Sequence, residues 1–73
     1  MPPEWDELQQ YLRYHPAWFA HIIPWSVYGC VEIILYRRGT RIYSNFGKNL
    51  SKRCAKALRF MQGVDNAAAI RGG

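Results

Sequence analysis

The sequence predicts an α+β fold: an N-terminal helix, a small antiparallel sheet centred on a β-hairpin, and a C-terminal basic amphipathic helix. Three observations lead there. An apolar stripe at helical spacing runs up to Pro16, two β-rich runs flank Arg38-Gly39, and from Leu50 onward apolar residues recur at helical spacing opposite a row of cations. A chain of 73 residues has room for one small core. The expected organisation is a single domain over residues 1–64 with a frayed tail, 65–73, whose composition offers little to pack. The apolar fraction of 49% is too high for a disordered segment.

The first helix starts at Pro2 and Pro3, which suit a first turn, and Glu4, Asp6 and Glu7 favour the positive end of its dipole. Trp5, Leu8, Leu12 and His15 form its stripe, and Pro16 ends it. Residues 17–25 read as either a short strand or a further helical turn. Val27 to Arg37 and Thr40 to Asn45 then form a hairpin, because Gly39 supplies the positive φ that a two-residue turn needs. Unbroken pairing from that turn sets Leu35 opposite Ile42 and Ile33 opposite Ser44 on one face. Tyr36 opposite Arg41 and Ile34 opposite Tyr43 occupy the other. The first face, continued by Val31 and Val27, is expected to meet the helices, leaving Tyr36, Arg41 and Tyr43 outside. Asn49 or Ser51 caps the last helix, Leu50, Cys54, Ala57, Leu58, Met61 and Val64 line its apolar side, and Gly63 is the expected stop.

The charge pattern narrows the function more than the net charge of +5 does. Three of the five acids stand at the N-terminus, whereas residues 33–64 hold Arg37, Arg38, Arg41, Lys48, Lys52, Arg53, Lys56 and Arg59 with no acid among them. Such a field attracts polyanions or acidic protein surfaces. On the last helix Lys52, Lys56 and Arg59 share the side away from the apolar stripe, with Arg53 and Phe60 at its boundary.

Several classes are set aside. Cys30, Cys54, His15 and His21 show no ligand spacing for zinc, so neither metal nor cofactor is expected and the cysteines read as buried thiols. There is no GxGxxG, P-loop, HExxH or GxSxG, and the expectation is a non-enzyme without a small-molecule substrate. Residues 17–38 have the length of a bilayer span, yet His21, Pro24, Ser26 and Glu32 interrupt them, and a mid-membrane glutamate costs roughly 2.5–3.5 kcal/mol. Strands are expected there, and no membrane partner. The acidic, polar start "MPPEWDELQQ" is unlike a secretory signal, which leads to an expected intracellular, cytoplasmic location.

The helix, strand-like segment, hairpin and basic-headed helix, with "SKRCAK" supplying Lys52, Arg53, Ala55 and Lys56, resemble the double-stranded RNA-binding domain over residues 27–62. That family has an α-β-β-β-α order, and its last helix opens with a KKxAK-type motif whose cations bridge phosphates. Two departures mark this chain: Arg59 and Phe60 replace a usual alanine pair, and "IIPWS" stands where the family carries a GPxH-type element. The resemblance implies a nucleic-acid-binding module for duplex RNA or DNA with Lys52, Arg53 and Lys56 on phosphates; the charge pattern adds Lys48, Arg59, Arg37, Arg38 and Arg41 to the expected binding set, and Tyr36 and Tyr43, or Phe46, are available for stacking. The competing class is a small phage-type regulatory protein that docks on a host protein or nucleoprotein complex, since Arg, Tyr and Trp also dominate protein interfaces.

Overall fold

Pro3, its ring already at a helical φ, opens α1, Pro3–Tyr14, and the Trp5 N–H closes the first turn on the Pro2 carbonyl at 3.0 Å. Leu8 is fully buried, with Trp5, Tyr11 and Leu12 packed around it. His15 caps the far end: its Nδ1–H donates to the Tyr11 carbonyl at 2.9 Å and its ring stacks on the Tyr11 ring at 3.8 Å. The computed structural model describes residues 1–25 and 29–72.

The ambiguous segment after Pro16 is a strand, β1, Trp18–Trp25. It pairs antiparallel with β2, Cys30–Arg37, which pairs with β3, Thr40–Gly47, in the order β1-β2-β3. Pro24 is accommodated because β1 lies at the sheet edge, where a missing N–H breaks no central ladder. Val27 and Ser26, expected at the start of the hairpin and the end of "IIPWS", lie outside the described residues. Arg38 and Gly39 both take positive φ, 53° and 85°, which makes the tight turn one whose twist matches the flanking strands.

The register departs from expectation after the second pair beyond the turn. Tyr36 faces Arg41 as predicted, but a bulge between Leu35 and Tyr36 then sets Leu35 opposite Tyr43, Ile34 opposite Ser44 and Ile33 opposite Asn45. An extra residue on one strand exchanges the faces of everything after it. Ile42 is therefore 41% exposed and not core, and Tyr43 turns inward.

The last helix, α2, spans Leu50–Gly72. Asn49 is its cap, accepting the Lys52 N–H at 3.0 Å. The expected stop at Gly63 is absent. The helix continues through it, since glycine weakens a helix by only about 1 kcal/mol and packing beyond it offsets that. The segment expected to fray is helical, and Asp65 in it joins the interior network. Cys54, Ala57, Leu58 and Met61 pack with Leu8, Trp18, Ile33 and Leu35 into one core, and Cys30 and Cys54 are buried with no disulfide between them. Both helices thus lie on one face of the sheet, and among the described residues no element lies over the other face.

Candidate functional site

Lys52, Lys56 and Arg59 are all exposed, at successive helical spacings on the side of α2 opposite Cys54 and Met61. Their backbone positions span about 10 Å. No ion pair engages any of them among the described residues. Lys48, also exposed, precedes the capped N-terminus of α2, where the unpaired N–H groups and the helix dipole favour an anion. The carboxylate nearest that end is Glu4, which accepts from Ser51 and whose carboxyl is thereby held below the usual carboxylate range. Ser51, bonded to Glu4 of α1, stands about 100° around the helix from Lys52, on the flank of the cationic row.

Two of the predicted cations, both half-buried, are bonded within the fold. Arg53 donates from Nη1 to the Phe46 carbonyl at 3.0 Å, and its own carbonyl accepts from Asn45 Nδ2 at 3.1 Å. Its guanidinium covers Gly47 so closely that a Cβ there would come within 2.9 Å of Nη1. A side chain at 47 would push that guanidinium aside. Arg37 lies over the Trp18 ring at 5.9 Å and pairs with Asp65 at 3.8 Å. Both residues tie elements together.

Arg38 and Arg41 remain exposed at the hairpin turn. They are not brought to the α2 row. Arg53 binds the end of β3, whereas Asp65, about 18 Å further along the helix, meets Arg37 beside the turn. The α2 row therefore starts at the end of the molecule away from the turn, with Lys48 and Lys52, and reaches the middle of its length at Arg59, about 9 Å along the helix from both Arg53 and Asp65, whereas Arg38 and Arg41 stand at the turn end.

The predicted aromatic pair is split as well. Tyr36 is on the outer sheet face, half-buried, with its ring 5.9 Å from that of Phe19. Tyr43, expected beside it, is on the inner face: its ring stacks on Phe60 at 4.4 Å and its hydroxyl accepts from Asn45 at 2.9 Å. The bulge is the reason. The outer face instead presents Phe19, Trp25, Ile42 and Phe46, exposed by 64, 45, 41 and 55%. Trp25 and Phe46 meet edge to face at 6.3 Å, and the Trp25 indole N–H donates to Glu32 at 3.3 Å. Sequence reading missed Phe19 and Trp25, although alternation in β1 carries the signal once that segment is known to be a strand.

Glu7, Gln10, Tyr14, Leu58 and Gln62 border a shallow depression of about 290 Å³ between α1 and α2. Among the described residues no group of His, Cys, Asp and Glu is arranged to hold a metal ion, and no helix is long and apolar enough to cross a membrane. The Cys54 thiol is pushed up by burial, which leaves it unreactive. Fold and surface define a small two-layer α+β protein with one cationic helix face and one open aromatic sheet face. Compared with protein-family models, curated proteins and solved structures, the chain matches none.

Proposed function

We propose that this chain is a nucleic-acid-binding module in which Lys52, Lys56 and Arg59, with Lys48 at the helix start, grip the phosphates of duplex RNA or DNA. The observation that carries the reading is the unpaired row itself: three exposed cations on one helical side, spanning about 10 Å, with no acid neutralising them among the described residues. That span is comparable to the roughly 12 Å width of a B-form major groove. The adjoining helix N-terminus adds N–H donors and the dipole's positive end. The order α-β-β-β-α, with both helices on one sheet face, is the order that the likeness to double-stranded RNA-binding domains implies. Arg53 and Arg37 belong to the scaffold in this reading, and the gripping set is smaller than charge counting suggests.

A second reading is a small regulatory protein of phage type that docks on an acidic surface of a host protein or nucleoprotein complex. The exposed rings of Phe19, Trp25 and Phe46 favour it, since patches of exposed aromatics mark interaction surfaces.

The test is binding to RNA and DNA duplexes over a salt series with Lys52→Ala, Lys56→Ala and Arg59→Ala. Each removed phosphate contact should weaken all duplex sequences alike and lower the log-log salt slope by about one unit. Equal duplex affinity for the parent and the triple variant would end the phosphate-grip reading. Loss confined to one acidic protein would select the second.

A further inference from the structure

We infer that the open sheet face is a second binding surface that takes single-stranded RNA, with bases stacked on two ring pairs, Phe19 with Tyr36 and Trp25 with Phe46. The pairs stand at opposite ends of the sheet. Phe19 and Trp25 are six residues apart on β1, which is about 20 Å along the strand. Between them the surface is polar at its edges: alternation puts His21 on β1 and Ser44 on β3, both exposed, on either side of the buried Ile34. The pairs are tilted or edge-to-face, at 52° and 78°, and Phe19, Trp25 and Phe46 in them are exposed by 64, 45 and 55%. Two stacking platforms, separated by a strip in which His21 and Ser44 flank Ile34 and Ile23 stands beside Glu32, suit a polymer with repeated flat bases, on the scale of the roughly four nucleotides at the lower end of single-strand sites.

Charge selects the occupant. Arg38 and Arg41 stand at the turn end of this face and Lys48 follows the end of β3 at the other. Glu32 is its acid among the described residues, and the Trp25 indole N–H engages it. A second copy laid on the face would bring hairpin cations over hairpin cations in one orientation and over Lys48 in the other. Both juxtapositions are repulsive in a chain of net charge +5. A protein partner would use a central, fully desolvated anchor, and here the most exposed rings lie at the two ends. A phosphate backbone meets both cationic ends with attraction. The polar side chains of His21 and Ser44 lie where a backbone crossing the sheet would pass, and a 2′-hydroxyl offers them a donor and an acceptor that DNA lacks.

This surface does not depend on the α2 row, and the experiment separates the two. Fluorescence anisotropy of labelled oligouridine and oligodeoxythymidine twelve-mers, and of an RNA duplex of about the same length, is measured with the whole chain. The expected result is binding of oligouridine in preference to oligodeoxythymidine. Phe19→Ala and Phe46→Ala should each weaken it by about tenfold or more while leaving the duplex unaffected. Phe19→Leu and Phe46→Leu keep apolar bulk without a ring, so they serve if the alanine variants fail to fold, and they should weaken oligouridine comparably. Full oligouridine affinity in the leucine variants would overturn stacking. Equal affinity for oligodeoxythymidine would overturn the RNA assignment. A parent that sediments as a dimer, and becomes a monomer on Phe19→Leu, would show that the face belongs to a second copy. Ring-dependent oligouridine binding without duplex binding would remove the phosphate-grip reading and leave this one standing.

Discussion

At the scale of single residues, Tyr11 shows how one half-buried hydroxyl couples stability to pH. Its phenol donates to Asp65, and its pKa is pushed up to about 12, by burial first and then by the hydrogen bond and the negative field of Asp65. A phenol whose folded value lies above its unfolded value of about 10 is an acid kept neutral by folding. Its contribution is whole below pH 10 and is lost as the pH rises from 10 to 12, because there the unfolded chain releases the proton and the folded one retains it. Tyr11→Phe should cost about 1 kcal/mol at neutral pH, the worth of a partly exposed hydrogen bond. Urea unfolding of both proteins should give a constant difference up to pH 10 that shrinks toward pH 12. A difference independent of pH across that window would mean that the hydroxyl titrates normally. Arg38 is the other telling residue: an arginine at φ 53° stands where a tight turn favours Asn or Gly. An arginine there carries backbone strain that glycine would avoid.

At the scale of elements, the helix limits near Pro3 and Asn49 and the hairpin turn were legible because each depends on local chemistry: a ring-fixed φ, a cap and a positive-φ glycine. The register was not. Ile42 and Tyr43 are both good strand residues, so alternation fits either one facing inward, and the deciding fact is that Tyr43 can stack on Phe60 while Asn45 ties it to α2. The α2 half of the candidate site was legible for the same local reason, since Lys52, Lys56 and Arg59 follow from helical period alone. The contacts of Arg53 and Arg37 within the fold were not legible because their partners, the Phe46 carbonyl and Asp65, are brought by tertiary packing. The bulge gives a direct test. Tyr43→Ala should cost about 2 kcal/mol, a discounted value for truncating a half-buried aromatic, whereas Ile42→Ser should change stability by less than about 1 kcal/mol. Thermal unfolding of the two variants measures this, and the opposite order would restore the unbulged register.

At the scale of the whole molecule, the fold is held at the turn end by one carboxylate. Asp65 of α2 accepts from Tyr11 of α1, accepts from the Trp18 indole N–H of β1 at 3.0 Å, and pairs with Arg37 of β2. Four elements meet there, and Trp18 is only 4% exposed, so its indole N–H depends on this acceptor. An unpaired buried donor costs about 1–3 kcal/mol, and two donors and a cation lose their partner together. Asp65→Ala should therefore destabilise by about 2–4 kcal/mol, a large share of the marginal stability of so small a domain. The residues beyond it are exposed as far as Arg71, so their removal should cost less than about 0.5 kcal/mol. Three shortened or substituted chains separate these statements. A chain ending at Asn66 should unfold at the urea midpoint of the full chain, whereas one ending at Val64 should unfold well below it, close to Asp65→Ala. If the chain ending at Val64 matched the full one, the core of Leu8, Ile33, Leu35 and Met61 alone would hold the layers together, and Asp65 would be a passenger on a helix whose last turns do nothing.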